Sequence, residues 1–129
     1  MIIPLDYDWH LLVGDGTALP AIARRLEELP AGARVTAIVQ LADAADRRAL
    51  ATRAALDLHW VADAPALVDA VRAWDPPAGE GYVWCAGEAH TMATLRRLVV
   101  NDKGHSPQAI RAAAYWKRGA PAHHENLET

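Results

Sequence analysis

The sequence has no phenylalanine, one cysteine and one serine, and each scarcity closes off a kind of chemistry. Cys85, standing alone, can form neither an internal disulfide nor a thiolate cage for a metal; a reducing, cytoplasmic setting is expected. Ser106 precedes a proline, and no nucleophile elbow, triad or Walker loop accompanies it. Positive charge is also short. Thirteen Lys and Arg against sixteen Asp and Glu give a formal charge of −3, too little basic field to hold nucleic acid by its phosphates. No apolar run approaches the roughly 18 residues that span a bilayer, so no membrane partner is expected. The opening Met1-Ile2-Ile3-Pro4-Leu5-Asp6 lacks a basic n-region and is not expected to act as a signal peptide. Histidines are present but scattered. His90 and His105 have no ligand-type neighbours at metal spacing, and the adjacent side chains of His123-His124-Glu125 do not converge on one ion, so no metal site is expected. Five tryptophans beside no phenylalanine, with abundant alanine and arginine, read as GC-rich coding rather than chemistry.

What remains is a chain of 129 residues, 52% hydrophobic and 22% charged, long enough to bury its own core as one domain. Short apolar runs bounded by turn residues predict strands over 9–13, 34–41, 56–61, 81–86 and 110–116. Helical periodicity falls between them. Leu19, Ile22, Ala23, Leu26 and Leu29 share one face, with Arg24, Arg25, Glu27 and Glu28 opposite; Thr17 is the expected N-cap, Pro20 suits the first turn and Pro30-Ala31-Gly32 stops the helix. Residues 43–53 are polar and Ala-rich, either a short helix or a surface excursion. Asp63 caps a helix facing inward through Leu67, Val68, Val71 and Trp74, with Pro65 in its first turn. A further helix turns Met92, Leu95, Leu98 and Val99 inward and ends at Lys103-Gly104, after which Ser106-Pro107 starts a single turn. The domain is read as 1–119. The tail 120–129 has no periodicity and is expected to be mobile.

Strands alternating with helices predict right-handed βαβ units: a three-layer, doubly wound α/β fold with a five-stranded parallel sheet in the order 3-2-1-4-5. That order sets the ends of the first and fourth strands side by side at the topological switch point, where such sheets bind ligands. Two glycine turns converge there, Gly14-Asp15-Gly16-Thr17 and Ala86-Gly87-Glu88. The first is not a full G-x-G-x-x-G fingerprint, because Leu19 stands where the third glycine belongs. Two readings stay open. In one, the turn only admits a strand into a helix. In the other, its N–H groups and the Thr17 hydroxyl hold a diphosphate, with Asp15 turned away or on a ribose or nicotinamide amide. Glu88 reads as a favourable charge at a helix N-terminus or as a ribose or nicotinamide contact, and Cys85 as a small buried hydrophobe.

Four segments in order carry a family likeness: WHLLVGDGTALP from Trp9, YVWCAGE from Tyr82, Leu95-Arg96-Arg97-Leu98, and Tyr115-Trp116-Lys117-Arg118-Gly119. Together they resemble the C-terminal half of the siderophore-interacting proteins, flavin-dependent ferric-siderophore reductases of the ferredoxin-reductase-like superfamily. The resemblance implies a ferredoxin-reductase-like nucleotide-binding domain that takes NAD(P)H, while an N-terminal β-barrel holds FAD; hydride passes to flavin and electrons to siderophore-bound ferric iron. It places Gly14, Asp15, Gly16 and Thr17 at the pyridine nucleotide, and Ala86, Gly87 and Glu88 at the nicotinamide end facing the flavin. Tyr115, Trp116, Lys117 and Arg118 fall near the domain junction, the two cations as contacts to an acidic siderophore. The chain departs from the pattern at Gly16, where glutamate is common in the family, and at Cys85, where a small residue such as alanine is common.

Only eight residues precede the first strand, so the flavin is expected to come from a separate flavoprotein chain. The alternative is a non-catalytic binding or regulatory module that has lost its FAD domain, dimerising through the orphaned docking face around Tyr115, Trp116 and Trp84, although Trp84 reads more readily as a core residue. Between the nucleotides, Arg47, Arg48 and Arg53 follow the second strand where a 2′-phosphate could be met, and Gln40 stands where an acidic ribose ligand would; both favour NADPH over NADH.

Overall fold

The computed structural model describes residues 7–119 and the pair Glu125–Asn126. The strands are largely apolar runs, and the central two are buried throughout, as a parallel sheet covered on both faces requires. In chain order they are β1 (Trp9–Asp15), β2 (Arg34–Gln40), β3 (Ala55–Val61), β4 (Gly81–Glu88) and β5 (Ile110–Trp116), all parallel and ordered β3-β2-β1-β4-β5. A two-residue β6 (Glu125–Asn126) adds an antiparallel rung on Ala113 and Ala114. The expected tail therefore returns to the sheet at those two residues; the rest of it lies outside the described residues.

Alternation along the strands builds two cores. On one face, helix α1 (Leu19–Glu28) lays Leu19, Ile22 and Leu26 over Leu12, Val35, Ala37, Val39, Trp84 and Ala86. On the other, α2 (Ala64–Ala73) and α3 (Ala89–Arg97) press Leu67, Val71, Met92 and Leu95 onto Leu11, Val13, Ile38, Val83, Cys85 and Ala112. Asp63 caps α2 as expected, accepting the Ala66 N–H at 2.9 Å. The run after α3 is a π turn over Leu98–Asp102, which still sends Leu98 and Val99 inward. Residues 43–53 form one 3-10 turn, Ala44–Asp46, and otherwise no regular element.

Two expectations about the first helix are corrected. Arg25, assigned to the solvent face, is buried, with its guanidinium carbon 4.0 Å from the centre of the Trp84 ring. A charged head over an aromatic face gains cation–π attraction while its stem covers apolar surface. Thr17 is not the N-cap. A 3-10 turn, Gly16–Ala18, precedes α1, and Asp15 caps that turn by accepting the Thr17 N–H.

Candidate functional site at the carboxyl ends of β1 and β4

The two glycine turns do meet. Gly14 is paired with Ala86 across the β1–β4 ladder, and a Cβ on Gly14 would stand 2.8 Å from both the Ala18 Cβ and the Ala86 carbonyl oxygen. This glycine lets strand, turn and neighbouring strand close up. Gly87 is similar. Its φ is +155°, and a Cβ there would come within 2.7 Å of the Asp15 carboxylate. The bulge between Gly87 and Glu88 in the β4–β5 pairing lies at the same point.

Asp15 is the hub. One carboxylate oxygen accepts the Glu88 N–H at 3.1 Å and the Trp116 indole N–H at 2.8 Å. The other accepts the Thr17 N–H at 3.0 Å and the Thr17 hydroxyl. A buried carboxylate with four donors has its charge dispersed where it stands, and all four donors belong to the protein itself.

Glu88 does the same work one strand over. It caps α3, accepting the Thr91 N–H at 3.0 Å and the Thr91 hydroxyl at 3.2 Å, with the His90 ring 3.2 Å and the Arg118 N–H 3.4 Å from its oxygens. Burial penalises its charge, but the N–H groups of Thr91, His90 and Arg118 and the His90 ring outweigh that penalty and bring its pKa from 4.5 down to about 2. It is a fixed anion. Two acids at the ends of β1 and β4 thus clamp the end of β5, one by the Trp116 indole and the other by the Arg118 backbone.

Outside this clamp is an open cleft of about 320 Å³, lined by Asp15, Gly16, Thr17, Gln40, Leu41, Ala42 and Trp116. Gly16 belongs to it: a Cβ there meets only the Leu41 side chain, at 3.1 Å. Of the residues singled out by sequence, Asp15, Gly16, Thr17, Gln40 and Trp116 line the cleft, while Gly14 and Ala86 pack behind it. Arg47 and Arg48 are exposed on the following stretch and do not line it. Tyr115 lies half-buried, edge-on to Trp84 at 6.4 Å between ring centres, and Lys117 and Arg118 are exposed. Leu41 and Ala42, absent from the sequence-based set, complete the wall. They follow the second strand directly, the position from which parallel sheets build their ligand crevice.

A somewhat larger hollow, about 390 Å³, opens at the opposite end of the sheet among Trp9, Glu80, His105 and Gln108. Strand-to-helix turns, with their converging N–H groups, are at the carboxyl ends, so the smaller cleft is the better ligand site. Among the described residues no group of three or more His, Cys, Asp or Glu is placed to hold a metal, and no helix is long and apolar enough to cross a membrane. His123 and His124 lie outside the described residues.

A doubly wound sheet with a crevice at its switch point, walled by a glycine turn, defines the class: a three-layer α/β domain open at the carboxyl ends of its strands. The family follows from comparison. The family model described as "Siderophore-interacting protein" matches residues 7–119, and the chain belongs to that family. It is 35% identical over 120 residues to an NADPH-dependent ferric-chelate reductase of Escherichia coli, covering 90% of this chain and 47% of that protein. A ferric vibriobactin reductase of Vibrio cholerae is 28% identical over 127 residues, covering 92% and 47%. Among solved structures, a siderophore utilization protein from T. fusca superposes with a TM-score of 0.84 at 32% identity, covering 95% of this chain and 49% of that one. The siderophore-interacting protein SipS of Aeromonas hydrophila gives 0.81 at 27%, covering 89% and 48%. The chain thus spans about half the length of the relatives it matches.

Proposed function

We propose that this chain is the pyridine-nucleotide half of a flavin-linked ferric-siderophore reductase, acting in the cytoplasm with a flavin held outside these 129 residues. The observation that carries the reading is the open cleft at the switch point, where Gly16 presents bare backbone beside Thr17, Gln40 and the Trp116 ring. The names of the Escherichia coli and Vibrio cholerae relatives support the reductase class.

The residues present fit a dinucleotide in kind. Gly16 and Thr17 offer backbone close to a diphosphate, Leu41 and Ala42 offer an apolar wall to a flat ring, and Gln40 offers a neutral amide where an acid would repel a 2′-phosphate. Bound nicotinamide would supply a hydride. The chain's own residues bind and orient: the Asp15 carboxylate is turned onto its four donors, the Glu88 carboxylate is held ionised by its own, and Trp116, pinned by its indole N–H, holds one side of the cleft. Ala86, Gly87 and Glu88 stand on this reading as the rigid wall behind the nicotinamide end. Tyr115, Trp116, Lys117 and Arg118 form the side offered to the flavin domain and an acidic ferric siderophore. NADPH is preferred over NADH, with the exposed Arg47 and Arg48 as partners for the 2′-phosphate.

Saturation-transfer NMR with each nucleotide tests binding. Signal from NADPH, weakened about tenfold in affinity by Gly16→Val with an unchanged circular dichroism spectrum, is the expected result. No transfer from either nucleotide at millimolar concentration sinks the proposal. Alanine at both Arg47 and Arg48 should weaken NADPH and leave NADH alone. Mixing the protein with FAD and NADPH and following loss of the flavin absorbance then tests the redox role.

A further inference from the structure

We propose that the outer edge of β3 is a self-association surface: two copies of this chain pair their β3 strands antiparallel about a two-fold axis through Leu58, joining two sheets into one. This goes beyond the nucleotide reading and uses the edge of the sheet opposite to β5.

Among the described residues, β2 is the only strand paired with β3, and the register runs unbroken from Ala55 to Val61. Proteins usually blunt such an edge with proline, lysine or a bulge. The run Ala-Leu-Asp-Leu-His-Trp-Val has none of these.

The ladder fixes which groups face outward. The Ala55 N–H donates to Ala33 at 2.7 Å and the Val61 carbonyl accepts from Leu41 at 2.9 Å, so the odd-numbered residues turn their backbone groups inward. Leu56, Leu58 and Trp60 therefore present N–H and C=O to the open side. In an antiparallel pair, residues that exchange hydrogen bonds must both face outward. A two-fold at Leu58 meets that condition at every rung: Leu58 opposite Leu58, and Leu56 opposite Trp60, apolar against apolar on one face.

On the other face the same register sets Asp57 opposite His59 of the second copy, twice by symmetry. These are non-hydrogen-bonded pairs, the kind in which opposed side chains come closest. A carboxylate accepts an imidazole N–H in either charge state of the ring. Both side chains are exposed, at 70% and 51%, and already lie 2.9 Å apart within the strand, so each has a favourable partner of the same chemistry waiting across the axis. Slipping the register by two residues sets Asp57 opposite its own copy, like charge on like, or opposite Val61, and loses the match either way. Slipping by one breaks the hydrogen-bond pattern. Charge and ladder select the same register, and the occupant they select is a second copy.

Sedimentation velocity of the full chain over a dilution series up to roughly 100 μM tests this. The wild type should show a concentration-dependent dimer. Asp57→Lys, a change at an exposed side chain, should weaken it about tenfold or more. The swap D57H/H59D should return it near the wild-type value, since the cross-strand pairs are restored. Leu58→Pro removes an outward N–H that no ladder bond to β2 uses and should give monomer; if that variant loses its circular dichroism, the Asp57 and His59 variants decide. A monomer throughout, a dimer indifferent to Asp57→Lys, or a swap as weak as Asp57→Lys would each overturn the proposal.

Discussion

Asp15 gathers four donors from three parts of the chain, and no substitute side chain offers the same set. Asparagine at this position would keep the shape but turn one acceptor oxygen into an NH2 group facing N–H donors. Hydrogen bonds to a charged group contribute about 1.5–3 kcal/mol each, so Asp15→Asn should cost about 2–3 kcal/mol or more in denaturant unfolding. A cost below about 0.5 kcal/mol would mean that the hub holds nothing together. Glu88 makes a sharper case because its charge can be titrated. Its pKa is depressed from 4.5 to about 2, so its stabilisation is complete above the unfolded value and drains away as pH falls toward the folded one. The shift corresponds to about 3 kcal/mol. Wild-type stability should therefore fall as pH drops from 4.5 toward 2, while Glu88→Gln should be less stable at neutral pH and flatter across that window. Parallel pH profiles for the two proteins would refute the assignment.

At the scale of elements, β1, its turn and α1 close up because Gly14 has no side chain. Gly14→Ala would set a Cβ 2.8 Å from a backbone carbonyl oxygen, which cannot swing away as a side chain can. A cost of about 1–3 kcal/mol is expected from urea melts, and full tolerance would show that the β1–β4 approach is slacker than described. The elements themselves are readable from the chain: strands buried on both faces are continuous apolar runs, and α1, α2 and α3 each carry an apolar stripe. The order β3-β2-β1-β4-β5 follows from handedness and connection length. The roles of Arg25, Asp15 and Trp116 are not readable in the same way. Periodicity scores arginine as outward, yet Arg25 lies over Trp84, a residue distant in sequence. Thr17 is the better cap by its place before the helix, but its N–H and hydroxyl are given to Asp15, which also receives donors 73 and 101 residues away. The glycines of the site are found by their turns, and their purpose is not: Gly14 and Gly87 make room for protein atoms, and Gly16 alone among these three opens to the cleft.

For the whole molecule, the family match and the coverage of about half of each relative leave one face to explain. Trp116, Lys117 and Arg118 stand beside the cleft, and the backbone there is fixed by Asp15 and Glu88 through the indole and the Arg118 N–H. The cationic heads are free to be changed without touching that clamp, since the Arg118 contact to Glu88 runs through the main chain. Replacing both Lys117 and Arg118 by glutamate should leave stability and NADPH saturation-transfer signals as they are. If this side meets the flavin domain or an anionic ferric siderophore, the same variant should slow electron transfer with an added flavoprotein by about tenfold or more, and the loss should shrink with added salt, because exposed charges act through a screened field. Unchanged transfer with intact nucleotide binding would place the junction elsewhere on the molecule. Loss of both together would instead mean that the two charges belong to the nucleotide site.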